Sequence, residues 1–296
     1  PSTPPTPSTP SLPIHPARIR GGGPSIALTP ILAATPAILS TPLLTQTNLQ
    51  GEHIAAVDSE SFGHSYPSCP SPNSTLVTFQ NIGQQPRSSY NRKSFDNSLA
   101  FKNSNAGVAL YAEHCLCESS LHHQDYFQNR ISRQSPHSFT YLVNNKTEIS
   151  KWNQAGGTGF SVSKRLKSQK VSHGCDPTGL GRWTFVRCQG KANCTVSFFS
   201  AYRPCHSTSS LGTVWRQHQR YFRDKQHLAD PDPLKLFDRD LIAAINAQMQ
   251  AGDSVVLGID QNSDTRNSPL STLLTGLGLS EAILKLHHPA SPPATH

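Results

Sequence analysis

The chain presents four stretches in which an apolar, strand-like run ends on an oxygen-bearing or amide side chain. "LVTFQN" ends on Asn81, "VALYAEHC" brings Glu113 just past its apolar residues, "SFFSAYRP" delivers Tyr202 and Arg203, and "DSVVLGIDQN" delivers Asp260 and then Asn262. A single Asp or Asn after a strand is most often a turn former. Four such ends together offer carboxylate oxygens for a hard divalent cation, amides that hold water or phosphate oxygens, and a phenol to brace a substrate. The chemistry this set suits is metal-assisted attack on a phosphate ester.

Those groups can meet only if their strands share one rim. Short runs rich in Val and aromatics, bounded by Gly, Pro, Asn or Asp, predict strands over 76–81, 106–113, 157–163, 183–188, 195–202 and 254–260. "WTFVRC" and "TVSFFSAY", joined by "QGKANC", predict an antiparallel pair. "SVVLGI" alternates too little to be half exposed, which predicts a central strand. Leu211, Val214, Trp215, His218, Tyr221 and Phe222 recur at helical spacing, with Arg216, Arg220 and Arg223 outside the stripe. A second helix carries Leu234, Phe237, Leu241, Ile245 and Met249, starts at Asp232 as cap with Pro233 in its first turn, and stops at Gly252. Strands interleaved with helices predict layered α and β, an α+β fold with sheet packed against helices on the outside.

The first 74 residues differ from the rest. Of the 24 prolines, 14 fall in the first 72 positions among Ser, Thr and Ala runs, a composition that cannot bury enough apolar surface to offset chain entropy. Residues 1–74 are therefore expected to be a disordered Pro/Ser/Thr-rich arm, and residues 75–296 a globular domain. The arm carries a net charge of −1, so the domain holds +9 of the total +8. Such a basic domain favours a polyanionic partner, nucleic acid or an anionic surface. The most apolar part of the arm is broken by Pro30, Pro36 and Pro42, so no membrane span or membrane partner is expected. Seven cysteines at irregular spacing fit reduced thiols, and Cys115, Cys117, His114, His122 and His123 lack the second pair that a zinc finger requires. An intracellular, nuclear address follows from cysteine usage and the presumed substrate.

Together with "QAGGTGF" (154–160), "DPTGLGRWTFVR" (176–187), "SAYRPC" (200–205) and "GIDQN" (258–262), the order of these strand ends resembles the endonuclease/exonuclease/phosphatase superfamily. The branch it looks most like is the endonuclease-like domain of retroelement-type reading frames. The resemblance runs from about Leu76 onward. It implies a four-layer α/β sandwich, two packed β-sheets with helices outside, and Mg²⁺-dependent cleavage of nucleic acid phosphodiesters, with Mn²⁺ as substitute cation and DNA rather than RNA as partner. Carried over residue by residue, Glu113 would bind the metal and Asn81 would order the metal and its water. Tyr202 would contact the scissile phosphate, Asp260 would align or deprotonate the attacking water, and Asn262 would hold a phosphate oxygen. Arg203 has two readings, a phosphate clamp or a bridge to a carboxylate. Arg182 and Trp183 likewise read either as substrate-side groups or as a turn and a core aromatic.

The sequence departs from this pattern after Asn262, where the family carries a closing strand with an Asp-His pair. "HHPASPPATH" resembles the loop before that strand, with His287, His288 and His296 in the wrong context. The resemblance thus implies a domain incomplete at its C-terminus, lacking its last strands, with impaired hydrolysis. A lipid or inositol phosphodiesterase is the nearest alternative substrate class. The alternative of another kind is a non-catalytic mobile-element remnant that binds nucleic acid through its basic surface.

Overall fold

The computed structural model describes residues 74–83, 98, 101–117, 121–148, 154–207 and 210–282. The Pro-rich arm and His287, His288 and His296 lie outside this set. Eight strands form two mixed sheets. One has the order β1 (Val77–Asn81), β2 (Val108–Ala112), β4 (Thr158–Val162), β3 (Phe139–Val143); the other runs β5 (Lys170–Cys175), β6 (Trp183–Gln189), β7 (Thr195–Tyr202), β8 (Asp253–Asp260). Helices are α1 (Leu121–Gln134), α2 (Lys164–Lys167), α3 (Val214–Gln226), α4 (Pro233–Gln250) and α5 (Pro269–Gly276). Among the described residues no helix is long and apolar enough to cross a membrane.

The layers follow from alternation along the strands. Every residue of β2 is buried because both of its faces are covered. Ala109 and Tyr111 pack on one side with Phe127 and Ile131 of α1. Val108 and Leu110 point the other way, into a core shared by Phe160 and Val162 of β4, Val186 and Cys188 of β6, and Phe198 of β7. On the far side of the second sheet, Trp183, Phe199 and Ala201 meet Phe237, Leu241 and Ile245 of α4 and Leu270 of α5. The result is helix, sheet, sheet, helix: an α+β four-layer sandwich.

Both sheets repeat one plan. β1 pairs parallel with β2, and β2, β4 and β3 then pair antiparallel. Likewise β8 pairs parallel with β7, and β7, β6 and β5 pair antiparallel. Equivalent strands face each other, β2 on β7, β4 on β6 and β1 on β8. The two parallel pairs therefore end at the same rim.

All six predicted strands form, and "WTFVRC" and "TVSFFSAY" pair antiparallel as expected. The central placement expected of "SVVLGI" is corrected. β8 pairs only with β7 among the described residues and sits at the end of its sheet, with Val256 38% exposed. Its continuous apolar character reflects cover on its faces, by β1 within the sandwich and by α4 outside, rather than neighbours on both edges. Gly258 has a specific use here: a Cβ at this position would come within 2.5 Å of the Phe79 ring of β1, so its bare backbone lets the sheets close directly below the rim.

The α4 boundaries follow the predicted signals. The Asp232 carboxylate accepts from Leu234 N–H at 2.9 Å and Lys235 N–H at 3.4 Å, Pro233 occupies the first turn, and Gly252 lies beyond the end at φ 88°. Asp232→Ala is expected to cost about 1 kcal/mol, the usual worth of such a cap, read as a lower midpoint in chemical denaturation.

Candidate active site

The rim where the parallel pairs end gathers the predicted residues from both sheets. Asn81 is the last residue of β1 and Glu113 follows β2. Tyr202 and Asp260 end β7 and β8 and are directly paired in register. The Asn81 side-chain amide donates to Glu113 Oε2 at 3.1 Å and to Asp260 Oδ2 at 2.5 Å, while its Oδ1 accepts from Gly83 N–H at 2.7 Å. Tyr202 Oη donates to Glu113 Oε1 at 3.3 Å. Glu113 is thus held through one oxygen by the first sheet and through the other by the second. Asn262 completes the group: its backbone N–H donates to Asp260 Oδ1 at 3.2 Å, and its side-chain amide donates to Arg203 O at 2.7 Å.

Backbone shape aims these groups. Glu113 and Cys115 lie at φ 53° and 55°, and Asn262 at φ 49°, in the left-handed region that costs a non-glycine residue about 1 kcal/mol or more. The "AEHC" turn is over-determined by its contacts. Glu113 N–H donates to Gly157 O and Cys115 N–H to Gly156 O, at 2.8 and 2.9 Å. His114 lies buried, donating from Nε2 to Val143 O at 2.9 Å and accepting at Nδ1 from Leu116 N–H at 3.0 Å. Burial pushes its pKa down to about 4, so the ring stays neutral. Gly157 is required beside it, since a Cβ there would stand 2.5 Å from His114 Cε1 and the backbone is at φ 91°. Sequence reasoning set His114 aside with the cysteines. Its place beside the glutamate at a strand end was the signal available.

The electrostatics suit a cation. Burial raises the Glu113 pKa, the hydrogen bonds from Asn81 and Tyr202 oppose that, and the Asp260 charge adds to it. Burial, followed by the Glu113 and Asp260 charges, drives the Tyr202 phenol far up, so it keeps its proton and remains a donor. Two carboxylates sharing one amide leave negative charge that a divalent ion would neutralise. Among the described residues no three His, Cys, Asp or Glu side chains form a closed metal cage. A pair of carboxylates with an amide instead fits Mg²⁺, which keeps several of its waters and takes few protein ligands.

Arg203 takes the bridge of its two readings. Its Nε and Nη2 donate to the two oxygens of Asp238 at 2.7 and 2.8 Å, and the pair is buried. That guanidinium edge is closed to a phosphate. Arg182 and Trp183 likewise belong to the interior. Arg182 binds Asp176 through Nε at 2.6 Å and Nη2 at 3.0 Å, reaches Asp240 at 3.0 Å, and stacks on Trp183 and Phe222. On α3 the arginines outside the apolar stripe have partners: half-buried Arg220 pairs with Glu148 and Arg216 donates to Gln219, while Arg223 pairs with Asp224 on the exposed face. No disulfide joins the described cysteines, and Cys115, Cys117 and Cys188 are buried.

No protein-family model matches the sequence, and no curated protein matches it. Similar solved structures exist. They include an endonuclease/exonuclease/phosphatase family protein from Leptotrichia buccalis C-1013-b, at 10% identity and TM-score 0.47, covering 71% of this chain and 75% of that one. Another member of that family, from Bacteroides thetaiotaomicron, has 10% identity and TM-score 0.42, covering 69% of each chain. A 3′ phosphatase from Neisseria, bound to a product DNA hairpin, has 12% identity and TM-score 0.44, covering 73% of this chain and 76% of that one. With identities and TM-scores this low, the functional reading rests on the geometry of the rim itself.

Proposed function

We propose that this chain is a divalent-metal-dependent phosphodiesterase of the endonuclease/exonuclease/phosphatase superfamily, of retroelement type, acting on nucleic acid and on DNA rather than RNA. The observation that carries the proposal is the Asn81 amide joined to both Glu113 and Asp260, with Tyr202 on the remaining glutamate oxygen. Four residues from four strands of two sheets have no structural need to meet at an open rim. Glu113, with Asp260 beside it, would hold Mg²⁺, which when bound supplies positive charge for the phosphate oxygens. Asp260 is placed to take a proton from a water at the rim. Tyr202, kept protonated, donates to an oxygen of the ester, and Asn262 fixes the loop that presents Asp260.

Supercoiled plasmid incubated with the full chain should be nicked in Mg²⁺ and left intact after chelation by EDTA. Nicking that survives EDTA would remove the metal from the mechanism. Phospholipid and inositol phosphate esters assayed alongside separate the substrate classes.

A second reading, binding without cleavage, draws on Lys164, Arg165 and Lys167. These residues are exposed around α2, where Ser163 N–H donates to Gly107 O at the start of β2, the end of the sandwich away from the rim. Plasmid binding that weakens steeply with salt, with no nicked product at any Mg²⁺ concentration, would favour that reading.

A further inference from the structure

The hydrogen bonds around Tyr202 lead away from the rim to α4. Tyr202 N–H donates to Arg182 O at 2.9 Å, Arg203 N–H donates to Asp260 O at 2.9 Å, and Arg203 O accepts from the Asn262 side chain at 2.7 Å. The backbones of two arginines therefore position Tyr202, Asp260 and Asn262. The side chains of the same arginines end on carboxylates two residues apart in α4, Arg203 on Asp238 and Arg182 on Asp240. Asp238 is buried on the sheet-facing side of α4, within the same helix face as Phe237 and Leu241. A buried carboxylate there is costly unless it is paired, and a well-packed apolar pair would stabilise the helix at least as well. What the ion pair adds is direction: a bidentate fork fixes the rotation and reach of Arg203 as an apolar contact does not.

We infer that Asp238 is a positioning residue for the rim, acting through Arg203 to set where Asp260 and Asn262 stand relative to the first sheet. This rests on the function proposed above. It differs from the phosphate-clamp reading of Arg203, in which the guanidinium would meet the substrate. A clamp lost by substitution raises KM, whereas a positioning pair lost by substitution lowers kcat at unchanged KM. The strands carrying Glu113 and Asn81 are not touched by this pair, so the Glu113 side of the cation site stays in place.

The test compares Asp238→Asn with the apolar double substitution Arg203→Met with Asp238→Leu, in the full chain, by three readouts. These are plasmid nicking in Mg²⁺, Mn²⁺ binding followed by paramagnetic resonance, and the side-chain amide signals of Asn262 in a ¹⁵N-labelled sample. In Asp238→Asn, kcat should fall about 100-fold, the scale for a misplacement near 1 Å, with KM unchanged, Mn²⁺ still bound through Glu113, and the Asn262 amide signals moved. The double substitution should melt no lower than the parent chain and still nick slowly. Recovery of parental turnover in the double substitution, a raised KM, or Asn262 signals that stay in place in Asp238→Asn would overturn the inference. If the parent chain itself does not nick plasmid, the proposed function falls alone, and the Asn262 signals still decide whether Asp238 positions the rim.

Discussion

Asp260→Asn should lower Mg²⁺-dependent nicking by ~10²- to 10⁴-fold, the range for losing one acid–base group, while leaving the fold intact. The substitution keeps the shape of the side chain and its pairing position opposite Tyr202, but an amide cannot accept the proton of an attacking water. It also removes one of the two charges that Asn81 bridges. Single-turnover nicking at saturating plasmid isolates this loss from any change in DNA binding. Glu113→Ala is the companion measurement: equal nicking by that variant and the parent would end the assignment of Glu113 to the cation. Circular dichroism should show both variants folded, because each group lies at a rim and outside the apolar clusters.

Asp176→Ala should destabilise the fold by about 3–5 kcal/mol, the scale for removing one partner of a buried ion pair. The Arg182 and Asp176 side chains are fully buried, and Arg182 would retain only Asp240, whose side chain is 20% exposed. Urea denaturation checks the magnitude. The same carboxylate sets a pH dependence. Burial alone would raise the Asp176 pKa, but hydrogen bonds and the charge of Arg182, with hydrogen bonds from Thr178, bring it below the ordinary carboxylate value. A depressed folded-state pKa means that this stability is present above the unfolded value and is lost as pH falls through the folded one. Melting temperature should therefore drop on acidification below the usual carboxylate range, and the drop should be shallower in Asp176→Asn.

The strands that carry the site were legible because each pairs a dense apolar run with a polar terminus. β5 was not: "KVSHGC" has a single large aliphatic residue, and its register with β6 slips between Lys170 and Ser172. β3, "FTYLV", carried a β-branched and aromatic signal and was passed over, although Ser and Asn residues bound it. Among the described side chains of α1, Phe127 and Ile131, one turn apart, are the buried ones, in a segment rich in polar residues. The rim residues were readable from type and order alone. Asp238 was not, since a carboxylate between Phe237 and Leu241 looks like a solvent-facing helix residue until its partner is known. Edge against centre was also hidden for β8, because burial of a strand's faces and pairing of its edges leave the same apolar run in sequence.

Because Asn81 and Glu113 come from one sheet and Tyr202 and Asp260 from the other, no partial product of translation holds both carboxylates in register. A ribosome must deliver the chain through β8 before the two halves can lock over Gly258 and Phe79. Synthesis order thereby sets when the rim can assemble: only after both halves of the sandwich have left the ribosome.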